Sequence, residues 1–457
     1  MNRISQKLVF AWASVGPRFL PFADVATAEL PLSRLLRLSL FQVSVGMAIV
    51  LLVGTLNRVM IVELKVPTAL VSVMVGLPLF FAPLRALIGF KSDHHTSALG
   101  WRRVPYMWMG TMLQFGGFAI MPFALLVLSG GGNAAQAPAW IGHLGAGVAF
   151  LLVGAGLHTT QTVGLALATD LAAPESRPKV VGLMCVMLLV GMICSAFFFG
   201  ELLADYSPAR LVQVIQGAAL ITLVLNVVAL WKQEARSRTR QARPQADPTF
   251  QESWAVFCSG PRSVRRLLVL GMGTMAFSME DVLLEPFGGE ILHLSVSSTT
   301  TLTATLAFGG LAGFAWASRV LSRGMDPFRM AALGVCCGIP AFVAVIASAP
   351  MQSPLLFGLG TFLIGLGAGM FGHGTLTATM NLAPKDQAGL ALGAWGAVQA
   401  TCAGLAMALG GVLRDAVAHA YDSVTGYSTV YSLEVLLLCA TLVAMYPLFI
   451  RNPKETP

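Results

Sequence analysis

Long apolar runs alternate with short polar stretches along almost the whole chain. Each run has about 20 residues or more, which at about 1.5 Å of rise per residue is long enough to cross the ~30 Å hydrocarbon core of a bilayer. The pattern predicts about twelve membrane-spanning helices, near residues 35–62, 67–90, 104–128, 139–168, 179–200, 208–230, 267–287, 297–321, 327–349, 354–382, 386–413 and 430–450. We therefore expect an all-α polytopic membrane protein.

The low content of charged residues supports this interpretation. The 457 residues are 56% hydrophobic and 11% charged, whereas soluble domains carry about 25% charged residues. A formal net charge of +8 would favour nucleic-acid binding in a soluble protein. Here most of the Lys and Arg residues fall in loops on one predicted side of the membrane. By the positive-inside rule that side is the cytoplasm, so we expect both termini there and no nucleic-acid partner.

The apolar runs form two groups of six on either side of a basic stretch. We predict an N-terminal cytoplasmic or interfacial segment, a first six-helix half, a basic cytoplasmic linker, a second six-helix half and a cytoplasmic tail, at residues 1–34, 35–231, 232–266, 267–450 and 451–457. A short repeat supports two like halves, because the fourth run ends in ATDLAAP and the tenth in ATMNLAP. Two such halves around a central site are common in secondary transporters. The positive linker is expected to favour an anionic lipid surface.

Neither the cysteines nor the amino terminus changes this prediction. The seven cysteines lie mostly inside apolar runs and include no CxxC pair, so we expect free thiols and no metal site. The first ~30 residues lack an apolar core followed by a small-residue cleavage site, so no cleavable signal peptide is expected.

A polar loop at residues 89–105 joins the second and third predicted spans. In chain order the loop contains a glycine (Gly89), an acid (Asp93), a second glycine (Gly100) and two arginines (Arg102, Arg103). A glycine at a helix end allows a left-handed cap, and an acid can hold arginines by charge-assisted hydrogen bonds. We expect a cytoplasmic clasp here, the alternative being a generic positive-inside loop. The order is similar to the glycine–aspartate–arginine signature of major facilitator superfamily transporters, with several residues more between its parts.

The amino-acid sequences of several segments resemble those of a narrower group, the PucC/LhaA family of that superfamily. The matching segments are SDHHTSALGWRRVPYMWMGT, LPLSRLLRLSLFQVSVGMA, GTLNRVMIVEL and EDVLLEPFGGEIL. The resemblance implies a factor that assembles bacterial light-harvesting antenna complexes by delivering or gating bacteriochlorophyll. It also implies the antenna α/β polypeptides and the bacteriochlorophyll synthesis and membrane insertion machinery as partners. The expected location is the bacterial inner membrane, in its intracytoplasmic photosynthetic part.

Polar residues inside two spans are candidates for lining a central cavity. The fourth span carries His158, Thr159 and Gln161, and the tenth carries His373. In the superfamily the first, fourth, seventh and tenth helices line the cavity, so the resemblance places these residues there. A neutral imidazole is also a usual ligand for the magnesium of a chlorophyll, which makes transiently bound bacteriochlorophyll the only cofactor to expect. The alternative is a histidine that a backbone carbonyl or a threonine satisfies.

Charged residues inside the first and seventh spans form a second set of candidates, because an ionisable group in a membrane is costly. The first span ends with Arg58 and Glu63, and the seventh carries Glu280, Asp281 and Glu285. We expect an ion pair between the halves near the outer face, with Arg58 paired to Glu285. The alternative is a role in gating or in proton coupling.

Three classes of function compete. An enzyme is disfavoured, because the chain has no paired aspartate-rich motifs, no nucleotide-binding loop and no nucleophile triad. An assembly factor for antenna complexes is favoured by the resemblance. The alternative is a secondary transporter of a small solute or porphyrin-like molecule that works by alternating access, since a fold does not fix a function.

Overall fold

The computed structural model describes residues 31–80, 88, 92, 97, 100–130, 136–172, 177–234, 262–382 and 388–449. These residues form twelve helices and the short turns between them. The helices are α1 (Leu32–Glu63), α2 (Thr68–Phe80), α3 (Val104–Leu128), α4 (Ala139–Leu171), α5 (Arg177–Leu202), α6 (Pro208–Leu230), α7 (Ser263–Glu290), α8 (Val296–Leu321), α9 (Pro327–Met351), α10 (Pro354–Leu382), α11 (Ala388–Ala420) and α12 (Ser423–Phe449).

Eleven of the described helices are long and apolar enough to cross a membrane. The helix α2 is shorter because the residues that follow Phe80 lie outside the described ranges. An all-helical bundle is what the bilayer demands, since each backbone N–H and C=O must be bonded within its own segment. The predicted fold class, an all-α polytopic protein with about twelve membrane helices, is confirmed.

Local sequence sets several helix starts. Ser207, Ser295 and Asp326 precede α6, α8 and α9, and each side chain accepts a hydrogen bond from the backbone N–H three residues on. Such caps satisfy donors that have no partner inside the helix. Proline follows immediately at the first position of α6 and α9, where its missing N–H carries no penalty.

The boundary between α11 and α12 differs from the prediction. We expected spans at 386–413 and 430–450, but α11 continues to Ala420 and α12 begins at Ser423. Asp422 in the tight turn accepts hydrogen bonds from the Thr425 N–H and hydroxyl, and these bonds lower the pKa of the Asp422 carboxyl. The apolar run marks only the part of a helix that lipid covers, so polar helical turns beyond it were missed.

Two helices depart from regular α geometry. α1 changes to π-helical winding at Val50–Leu56 and Val59–Glu63. α7 stops after Ala276, makes a 3₁₀ turn at Glu280–Val282 and resumes at Leu284. The sequence predicted continuous spans at both places. π segments and short 3₁₀ stretches inside long helices often occur at functional sites, and these two lie against each other.

The buried apolar side chains form two main clusters. One is drawn largely from α1–α6 and the other from α7–α12. The halves meet where small residues allow close approach in the membrane. In α2 and α11 Gly76 lies against the Gly404 carbonyl, and in α5 and α8 Gly200 lies against Thr301.

Candidate functional site

Charged and polar side chains from both halves gather at one end of the bundle, which we call the Arg58 end. The opposite end, where α3 begins, is the Arg103 end. The group at the Arg58 end, named the charged junction below, contains Asn57, Arg58, Glu63, Glu280, Asp281, Glu285, Glu290, Arg414, Asp415, Tyr427, Tyr431 and Glu434.

Arg58 is held by its own helix and by the opposite half. Its Nη1 lies 2.5 Å from Glu63 Oε1, and its Nη2 donates to the Leu294 carbonyl at 3.1 Å. The guanidinium is 4% exposed, whereas Glu63 is 37% exposed. The predicted direct ion pair of Arg58 with Glu285 is not formed among the described residues: the charge of Arg58 acts on Glu285, but its direct partner is Glu63. π-helical winding bonds residues five apart, which brings Glu63 to the face of α1 that carries Arg58.

Glu285 lies where α7 meets α1 and α8. Its Oε1 accepts a hydrogen bond from the Thr303 hydroxyl of α8, and its Oε2 is buried with no partner among the described residues. A Cβ on Gly54 of α1 would lie 2.5 Å from Oε1. A side chain at position 54 would therefore displace this carboxyl.

Arg414 joins helices from both halves. Its Nη2 lies 2.5 Å from Glu290 Oε2, and its Nη1 lies 2.9 Å from Asp415 Oδ1 and 3.2 Å from Thr68 Oγ1 of α2. The guanidinium also lies 4.4 Å from the centre of the Tyr427 ring. Arg414 lies one residue beyond the predicted end of the eleventh span at residue 413 and was not among the predicted site residues.

Among the residues that the structure describes, five hydrogen bonds join the two halves at the Arg58 end. They are Thr55 with Thr300 (3.2 Å), Asn57 Nδ2 to the Val282 carbonyl (2.7 Å), Arg58 Nη2 to the Leu294 carbonyl (3.1 Å), the Ala69 N–H to Asp415 Oδ2 (2.6 Å) and Arg414 Nη1 to Thr68 Oγ1 (3.2 Å). The Ala69 bond places a carboxylate at the first turn of α2, where the helix dipole favours negative charge. This end of the bundle is therefore closed by polar contacts.

Three acids deeper in the charged junction, Glu280, Asp281 and Glu434, form a group that we call the acid cluster. Glu280 is 1% exposed and Glu434 is 0% exposed. Glu280 Oε2 and both carboxyl oxygens of Glu434 form no hydrogen bond of normal geometry among the described residues, and the backbone N–H groups of Glu280 and Asp281 lie near these two carboxyls. The three side chains are close enough to interact electrostatically, and Tyr431 lies within the same range of Glu280 and Glu434.

The predicted clasp at the Arg103 end is held by acids that the sequence did not suggest. Arg103 Nε and Arg102 Nη2 donate to Asp170 Oδ2 at 3.1 and 3.2 Å. Glu234, which follows α6, accepts the backbone N–H groups of Arg102, Arg103 and Val104 and so caps α3. Both acids lie at the ends of apolar runs, and this position could have marked them as candidate partners of the arginines.

Of the two glycines and the aspartate in the predicted clasp, the structure describes one glycine, Gly100. Gly100 has a φ of 81°, a left-handed backbone that glycine adopts without strain. Its conformation turns the chain just before Arg102. Gly89 and Asp93 lie outside the described residues, so the predicted contact of Asp93 with the arginines stays a prediction.

The consecutive polar side chains of α4 point to different sides of the helix instead of into a single cavity. Thr160 is fully buried and accepts a hydrogen bond from Gln114 of α3 at 3.0 Å. The Thr159 hydroxyl donates to the Ala155 carbonyl at 2.8 Å. His158 and Gln161 are half-buried. The two threonines therefore serve packing within the first half, and the cavity-lining role predicted for His158 and Gln161 stays a prediction.

His373 lies between α10 and α8. Its ring centre is 4.2 Å from that of Phe314, with 51° between the planes. The Nδ1 atom is buried without a hydrogen-bond partner among the described residues. Neighbouring Gly372 faces open space. A half-buried imidazole beside an aromatic ring and an open glycine suits a flat apolar ligand that carries a metal at its centre.

The described residues contain no group of three or more His, Cys, Asp or Glu side chains arranged to hold a metal ion. The three acids of the acid cluster are not arranged as such a group.

The family model described as PUCC protein matches residues 55–452. "Protein PucC" of Rhodovulum sulfidophilum is 64% identical over 437 residues, covering 95% of this chain and 96% of the relative. "Protein PucC" of Rhodobacter capsulatus is 59% identical, covering 96% of each chain. The "Bacteriochlorophyll synthase 44.5 kDa chain" of Rhodobacter capsulatus is 25% identical, covering 93% of this chain and 97% of the relative.

Among solved structures, the chain is similar to a bacterial homolog of the human lysosomal transporter Spinster in an inward-facing, unoccupied conformation. The TM-score is 0.66 at 14% sequence identity, and the match covers 91% of this chain and 96% of the other. At this identity the likeness shows the fold alone, which this chain shares with the transporter structure.

Proposed function

The chain belongs to the PucC protein family, and from this membership we propose that it is an assembly factor for bacterial light-harvesting antenna complexes. Its proposed task is to deliver or gate bacteriochlorophyll for the antenna α/β polypeptides as they enter the photosynthetic membrane. The observation that carries the proposal is similarity over almost the whole chain to proteins named PucC. The printed name of a more distant relative refers to bacteriochlorophyll.

His373 supports a direct role in handling pigment. Bacteriochlorophyll is a flat, largely apolar molecule whose magnesium takes a nitrogen ligand from a protein. The surroundings of His373 provide an imidazole, the Phe314 ring and the open surface at Gly372. We infer that pigment, when bound, rests against α8 and α10, with the His373 imidazole as its ligand. His158 is the second candidate for this role.

The proposed role is not enzymatic, since the pigment is passed on unchanged. It requires a protein of the inner membrane with both termini in the cytoplasm, so the Arg58 end would face the periplasm. In that orientation the polar contacts of the charged junction close the periplasmic side, and pigment is supplied from the membrane or the cytoplasmic side. Its partners are the antenna polypeptides and the bacteriochlorophyll synthesis and membrane insertion machinery.

Gene deletion tests the proposal. An assembly factor acts between finished pigment and finished antenna, so its loss should remove an antenna absorption band while reaction centres and pigment synthesis remain. Re-expression of the intact chain should restore the band. Loss of bacteriochlorophyll from reaction centres as well would contradict the proposal, because that result indicates a defect in pigment synthesis.

A secondary transporter is the second candidate. The observation that favours it is the set of five polar contacts between the halves at the Arg58 end, because a barrier made of hydrogen bonds can open and close. Purification in mild detergent, followed by mass spectrometry of bound pigment and peptides, distinguishes the two. Copurified bacteriochlorophyll and antenna peptides favour assembly, and solute uptake by proteoliposomes without them favours transport.

A further inference from the structure

The acid cluster has no use in the function proposed above. Glu280 and Asp281 come from the break in α7, and Glu434 comes from the middle of α12. Among the described residues none of the three forms an ion pair. Arg414, whose charge acts on the neighbouring Tyr431, is already engaged, because it binds Glu290 and Asp415.

We propose that the acid cluster is a proton-binding site, and that the protons it holds keep the Arg58 end of the bundle closed. Two or three carboxylates without counter-ions in a low-dielectric interior would repel one another and would each lose their hydration. A neutral carboxylic acid avoids both penalties. The cluster therefore holds most of its acids in the protonated form while this packing lasts.

Two buried, neutral side chains also support protons as the ligand. The Tyr431 side chain is 0% exposed, and its hydroxyl has no hydrogen-bond partner among the described residues. Asn57 is also fully buried, and its Oδ1 is unpartnered while its Nδ2 binds the Val282 carbonyl. A protonated carboxyl is both donor and acceptor. It can accept from Tyr431, which lies within electrostatic range of Glu280 and Glu434, and it can also donate to a buried acceptor, which a carboxylate cannot do.

The acid cluster is connected to the contact between the two halves through the backbone of α7. The Glu280–Val282 turn is held to α1 by the 2.7 Å hydrogen bond from Asn57 to the Val282 carbonyl. When a carboxylic acid of the cluster releases its proton to water, the remaining carboxylate needs hydration. Water reaches it once this turn moves away from α1. Deprotonation should therefore separate the halves at the Arg58 end.

Other charged groups near the cluster set the direction of the response. α12 contributes Tyr427 and Tyr431, and α11 contributes Arg414, whose charge acts on Tyr431. Arg414 favours carboxylates, but its Nη groups bind Glu290 and Asp415, which offset this effect. Raising the pH should open the Arg58 end, and lowering it should close it.

Infrared difference spectroscopy of the full chain in lipid nanodiscs tests proton binding directly. Between about pH 6 and about pH 9 the wild type should lose a carbonyl-stretch signal of protonated carboxylic acids. At the lower pH the Glu434→Gln variant should show a smaller signal than the wild type, and Glu280→Gln should do the same. The matched control is Glu201→Gln at the exposed end of α5, which should match the wild type. Absence of any carboxylic acid signal, or a signal that answers sodium ions and not pH, would overturn the proposal.

Distance measurement tests the coupling. Spin labels at Ser129 and Met351, both exposed at the Arg58 end of opposite halves, should move apart as the pH rises in a background free of native cysteines. Glu434→Gln, whose amide stays neutral, should keep the short distance at both pH values. Equal lengthening in wild type and variant would overturn the coupling. Neither measurement uses antenna or pigment, so each can fail without deciding the assembly role.

Discussion

Arg414 Nη2 of α11 and Glu290 Oε2 of α7 lie 2.5 Å apart, and the same guanidinium reaches Thr68 of the opposite half. The 3.2 Å bond to Thr68 makes this ion pair part of the contact between the halves. Arg414 is 8% exposed, so removal of its charge leaves Glu290 without an ionic partner, with hydrogen bonds from the Ser423 and Tyr427 hydroxyls alone.

Arg414→Gln should therefore lower stability more than a surface arginine change does. Breaking a buried pair from one side costs about 3–5 kcal/mol, whereas Arg210→Gln at an exposed pair should cost about 1 kcal/mol or less. Thermal unfolding in detergent measures both. The double variant Arg414→Gln with Glu290→Gln should recover part of the loss, since no lone charge remains. Equal stability of the two single variants would contradict the importance of this ion pair.

The correction at Arg58 gives a second prediction. A double-mutant cycle on Arg58→Gln and Glu63→Gln should show a coupling energy of about 1–3 kcal/mol, in the range for residues in direct contact. The cycle of Arg58→Gln with Glu285→Gln should show a smaller coupling, because Glu285 is bonded to Thr303. Unfolding free energies of the four variants in each cycle provide the comparison. A larger coupling with Glu285 would restore the pairing between the halves that the sequence predicted.

The clasp at the Arg103 end gives a third prediction. Asp170→Asn removes the charged acceptor of Arg102 and Arg103 and should destabilise the protein by about 1–3 kcal/mol. The matched control is Asp205→Asn, whose carboxyl is 93% exposed in its pair with Arg210. Protein abundance in the membrane and thermal unfolding should both fall for Asp170→Asn alone. If both aspartate variants behave alike, Asp170 contributes only to surface charge.

These outcomes show what the sequence could and could not provide. Apolar runs set the number and the approximate bounds of the helices, because lipid imposes a length and a polarity on each. The clasp arginines were visible in one loop, but Asp170 and Glu234 come from distant turns that only the packed bundle brings close. The partner of Arg58 depended on π-helical winding, and the position of Arg414 depended on a helix that continues past its apolar run. Neither the π-helical winding nor the continuation of the helix can be predicted from the hydrophobicity of the sequence.

The last prediction concerns the pigment. His373→Leu keeps an apolar side chain of similar size but cannot ligate magnesium. If His373 holds bacteriochlorophyll as proposed, the purified variant should lose copurified pigment while its abundance stays close to that of the wild type. His419→Leu, at the exposed end of α11, is the matched control and should retain pigment.

The double variant with His158→Leu and His373→Leu separates the two histidines from the remaining surface. Loss of pigment in the double variant but not in His373→Leu would move the ligand to α4 or show that either imidazole suffices. If the double variant still binds pigment and supports a normal antenna absorption band, neither histidine holds magnesium. Pigment would then have to be carried on the lipid-facing surface, where exposed aromatic side chains such as Phe123 and Trp316 offer contact but no nitrogen ligand.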